Sequence, residues 1–101
     1  MNMQPRKVLE SLENLAEKLG VEIVYEKLRD EEFSVRGGMC KVQKNYRIFM
    51  DRSEPMDSRI KILARSLSSF NTEDIYLLPF IREVLEMSRK EGKGAGLNRL
   101  P

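Results

Sequence analysis

Arg59, Ile62, Arg65 and Ser69 recur at steps of three and four residues along one stretch of the chain, with Ser66 next to Arg65 and Ser58 next to Arg59. That spacing places them on one side of a helix. Cations, hydroxyls and a single aliphatic side chain on one face suit the docking of an acidic protein segment or of a phosphate-bearing ligand. No acidic residue accompanies them after Asp57, so the cations on this side are unbalanced.

The other residue types that carry chemistry are thinly supplied. The chain has no histidine, which removes Ser/His/Asp and Cys/His nucleophile systems and every side chain whose unperturbed pKa lies near neutrality. Cys40 is the single cysteine. On a strand, sharing a face with Val42, it reads as a small buried hydrophobe, the other reading being a thiol activated by Arg36 or Lys41. Met50, Met56 and Met87 read as gap-fillers of the core. Glu83 and Glu86 form a carboxylate pair at helical spacing that reads as solvated decoration. Gly92, Gly94 and Gly96 follow a helix, not a strand, which is the wrong context for a phosphate loop. No catalytic residue, cofactor site or metal site emerges.

The elements that must position these residues belong to one domain, since 101 residues with 41% hydrophobic content support a single core. One cysteine permits no intramolecular disulfide. The longest apolar run, Ile75 to Ile81, is interrupted by Pro79 and is far short of the roughly 20 residues that span a bilayer. The expectation is a soluble cytoplasmic protein with no membrane partner. The 18 basic and 16 acidic residues are interspersed and leave a formal charge of +2, a balance that argues against a dedicated nucleic-acid binder.

Val8, Leu12, Leu15 and Leu19 predict a helix over residues 5 to 19, stopped by Gly20. Val21, Ile23 and Tyr25 predict a strand. Leu28 to Glu32 is too charged for core and reads as a solvated loop, after which Phe33 resumes pairing. Gly37 and Gly38 open a hairpin of Met39 to Gln43 and Tyr46 to Met50, turning at Lys44 and Asn45. Ser53 is expected to cap a helix with Pro55 in its first turn. Its apolar seam is Met56, Ile60, Leu63, Leu67 and Phe70. Thr72 caps a short turn, and Pro79 starts a last helix that fades at Arg89. The predicted fold is α+β, a small antiparallel sheet of about three strands, including a hairpin at 39–50, packed against an N-terminal, a central amphipathic and a C-terminal helix. Residues 1–88 form the domain, and 89–101 a flexible, basic, Gly-rich tail.

The unit from Gly37 to Phe70 resembles the core of the ImmA/IrrE-type zinc metallopeptidases, in which a glycine-rich strand pair and a short turn lead into a helix carrying H-E-x-x-H. Gly38, Ile48 to Asp51 and Arg59 to Phe70 carry the likeness. If Leu63, Ala64 and Leu67 take the family's apolar helix positions, Arg65 and Ser69 stand in place of the zinc-binding histidines and Ser66 in place of the catalytic glutamate. A guanidinium cannot ligate zinc. The resemblance therefore implies a scaffold without its metal site, with Arg65, Ser66 and Ser69 lining a remnant pocket fit for an oxyanion.

These observations lead to a non-catalytic protein-interaction module whose candidate patch is Arg59, Ile62, Arg65, Ser66 and Ser69. A protein partner is expected, homodimerisation being one form of it. The alternative is a nucleic-acid accessory protein using Arg59, Arg65, Arg89, Lys90, Lys93 and Arg99.

Overall fold

The computed structural model describes residues 3–27 and 37–96. The expectations for Leu28 to Glu32, Phe33, Arg36 and Arg99 lie outside the described residues. Helix α1 spans Pro5–Leu19, strand β1 Glu22–Glu26, β2 Gly37–Val42, β3 Asn45–Asp51, helix α2 Met56–Leu67 and helix α3 Pro79–Gly96. This is the expected α+β layout of three helices and a three-stranded sheet.

Helix α1 has proline at its N-terminal end, where a missing N–H costs nothing, and ends at Gly20 in the left-handed region at φ 76°. It buries Val8, Leu9, Leu12, Leu15 and Ala16. Those side chains join Ile48 and Met50 of β3, Leu63, Ala64 and Leu67 of α2, and Ile81 and Leu85 of α3 in one core. Helix α2 is central, packing on α1, α3 and the β2–β3 hairpin.

The sheet order is β1-β3-β2. It is mixed where an antiparallel sheet was expected. β2 and β3 form the antiparallel hairpin, but β1 pairs with β3 in parallel, Ile23 beside Ile48 and Tyr25 beside Met50. Strand composition accounts for the central place of β3, between the hairpin partner and β1, and not for the direction in which β1 joins it. β3 buries Ile48 and Met50 and half-buries Phe49 on its other face, so it is the strand fit for the centre. β2, with its glycines and exposed Cys40, Lys41 and Val42, is edge material.

The hairpin corrects three expectations. Its loop is Gln43 and Lys44, with Val42 opposite Asn45, and Gln43 takes the positive φ of 60° that the sequence assigned to Asn45. A two-residue loop pairs even-numbered with odd-numbered residues, so Met39 faces Ile48 and Cys40 faces Arg47. Cys40 and Val42 therefore lie on the face away from the helices, and Cys40 is exposed instead of buried.

Ser53 does not cap α2. Its N–H and hydroxyl both donate to Asp51 Oδ1, at 2.8 and 2.6 Å, which closes the turn that leaves β3. The helix starts behind Pro55 with no side-chain cap. At its far end Phe70 meets Tyr46 edge-on, with ring centroids 5.2 Å apart.

Helix α3 does not fade at Arg89; it continues through Gly96. Arg89 is half-buried and belongs to the packed helix, so the expected tail begins too early.

Candidate functional site

The five residues of the predicted patch separate into two groups. Arg59 is committed to the connection between β3 and α2, donating through Nε to the Glu54 carbonyl at 2.9 Å and through Nη2 to that of Arg52 at 3.3 Å. Its guanidinium also lies over the Tyr25 ring, 5.3 Å from the centroid. Ile62, expected as an exposed aliphatic, is half-buried and reaches beneath the start of β2, where a β-carbon at Gly37 would stand 3.3 Å from its Cδ1. Arg65 and Ser69 are exposed and Ser66 is half-buried. The Ser69 hydroxyl donates to the Ser66 carbonyl at 2.9 Å. Arg65 is thus the patch cation that stays on the surface.

Tyr25 shows how closed the Arg59 corner is. Its hydroxyl donates to Glu13 Oε2 at 2.9 Å. Burial first, then the hydrogen bond and the charge of Glu13, push its pKa up to about 12, against an opposing pull from Arg59.

Ser69 alone of the five reaches a cleft of about 510 Å³ between the end of α2 and α3, shared with Phe70, Thr72, Arg82, Glu86 and Arg89. Both arginines there are engaged. Arg82 Nη2 donates to the Ile75 carbonyl at 2.9 Å. Arg89 donates to the Ser68 carbonyl at 3.0 Å and to both oxygens of Glu86 at 2.9 and 3.0 Å. The cleft is braced by its cations rather than offering them.

An accessible surface of apolar character lies along the start and outer side of α3. Met87 is 63% exposed and Leu78 44% exposed. A shallow groove of about 460 Å³ along Met3, Leu78, Pro79, Phe80 and Glu83 runs into a second of about 510 Å³ along Pro79, Arg82, Glu83, Glu86, Met87 and Lys90. The two share Pro79 and Glu83 and make one continuous strip. The sequence reading placed Met87 in the core. The signal against that was present: Met87 lies two residues beyond buried Leu85, about 200° around a helix.

Among the described residues no three His, Cys, Asp or Glu side chains group as a metal would require, and no helix is long and apolar enough to cross a membrane. No family model, curated protein or solved structure matches this chain.

Proposed function

We propose that this protein is a non-catalytic protein-interaction module, on a metallopeptidase-like scaffold without the metal site, and that it engages its partner through the outer strip of α3. The observation that carries this reading is the exposure of Leu78, just before α3, and of Pro79 and Met87 on it, bordering grooves that meet at Pro79 and Glu83, since apolar groups left on a surface mark interaction sites. The scaffold part rests on the β2–β3 hairpin leading directly into α2. The alternative, a nucleic-acid accessory protein, has less to draw on, because two of its cations, Arg59 and Arg89, are already bonded to backbone carbonyls.

The test uses the full chain as bait, wild type beside Met87→Lys, with circular dichroism to show that both are folded. A partner retained by the wild type and lost with Met87→Lys, and held with little change between low and high salt, supports the reading. Identical retention by both, or binding to nucleic acid that falls steeply with salt, overturns it.

A further inference from the structure

We infer that the partner fitted to this strip is a second copy of the chain, laid antiparallel along α3 with the two-fold axis beside Glu86 and Met87. This rests on the interaction reading above and names its partner.

Glu83, Met87 and Lys90 are separated by steps of four and three residues, so they follow one line down the outer side of α3, and all are exposed. Glu86, next to that line, is taken by Arg89 of its own helix at 2.9 Å. Among the described residues neither Glu83 nor Lys90 has an ion-pair partner. The line therefore presents one unpaired anion and one unpaired cation, equally far on either side of the point midway between residues 86 and 87, while Arg82, which also borders the groove, is turned to the Ile75 carbonyl. They are about 10 Å apart along the axis, too far to satisfy each other.

Rotation by a two-fold axis at that point brings Glu83 of each copy to the level of the partner's Lys90, giving two reciprocal ion pairs, and sets Met87 against the partner's Met87 between them. The contact is isologous and closes on itself. A parallel arrangement would oppose Glu83 to Glu83 and Lys90 to Lys90, so the charge pattern selects the antiparallel one. A pairing confined to one helix face is smaller than the roughly 1,200 Å² of a stable interface, which puts its expected affinity in the micromolar range or weaker.

The experiment is sedimentation equilibrium at low salt over micromolar to millimolar protein, on the wild type, Glu83→Lys, Lys90→Glu, the equimolar mixture of these two variants, and the double variant. Wild type is expected to dimerise with rising concentration. Each single reversal replaces both attractions by repulsions and should raise the dissociation constant about tenfold or more. The mixture and the double variant, which regain opposite charges across the axis, should return to near the wild-type value. A wild type that stays monomeric throughout, or a mixture that associates no better than the single variants, overturns the inference. If the wild type is monomeric but Met87→Lys still abolishes retention of another protein, only the self-pairing falls; if retention is also unchanged, the interaction reading falls with it.

Discussion

Arg89 Nε donates to the carbonyl oxygen of Ser68 across 3.0 Å, fastening α3 to the residue on which α2 ends. Glu86 holds the same guanidinium from one turn earlier, so the side chain is oriented before it reaches across. Ser68 itself is buried, which makes the tie a feature of the packed domain.

Arg89→Ala is expected to lower stability by about 1–2 kcal/mol, the range of a charge-assisted hydrogen bond discounted for partial exposure. Arg89→Lys should recover little, because an ammonium lacks the planar fork that serves Ser68 and Glu86 together. Urea unfolding followed by circular dichroism measures both. An Arg89→Ala variant as stable as wild type would return this residue to the role of a solvated cation.

Gly37 and Gly38 are adjacent in β2 but differ in what surrounds them. A β-carbon on Gly37 would sit 2.6 Å from the Phe49 carbonyl oxygen, a backbone atom of the central strand that cannot swing aside, whereas one on Gly38 meets nothing within 4 Å. Gly37→Ala should therefore cost about 1–3 kcal/mol through displacement of the hairpin from β3 and Ile62. Gly38→Ala should be near neutral. Equal effects in denaturant melts would contradict this packing.

The tyrosine hydroxyl on Glu13 supplies a pH test. The folded-state pKa of Tyr25 is raised from 10.0 to about 12. Stability from this group is fully present below pH 10 and is lost as pH rises through 12. Subtracting the ultraviolet titration of Tyr25→Phe from that of the wild type should isolate the late ionisation. Glu13→Gln should bring that ionisation to lower pH by removing the neighbouring negative charge. Titration of Tyr25 near 10, unmoved by Glu13→Gln, would break the proposed link between β1 and α1.

Periodicity in the sequence revealed those parts of the fold in which one helix face meets the core. Leu12, Leu15, Leu63 and Leu67 are fully buried where the three-and-four spacing put them. The parallel placement of β1 was not legible, because nothing in a strand's own residues fixes the direction in which it joins another. Ile62 was misplaced because its burial depends on Gly37, a residue far away in sequence whose missing side chain admits it. The engagement of Arg59 was hidden for a similar reason. A guanidinium counted as a surface cation can be spent on backbone carbonyls exposed by an uncapped turn, as Arg59 is.

The register of the hairpin is the most direct test of the structure, because a slip of one residue would exchange the two faces of β2. Met39 faces Ile48 and is packed against the core, whereas Cys40 faces Arg47 and is exposed. The sequence alone pointed the other way, since Cys40 and Val42 are the apolar pair and Lys41 the polar residue between them. Burial of Ile48 and Met50 together with a two-residue loop overrides that local pattern. Cys40 should react with a thiol reagent in native buffer as fast as in denaturant. Cys40→Lys should change stability by no more than about 0.5 kcal/mol, while Met39→Lys, which forces a charge against Ile48, should cost about 2 kcal/mol or more. A thiol protected until unfolding, together with the reverse ranking of the two lysine variants, would establish the opposite register and require Cys40 to be returned to the core.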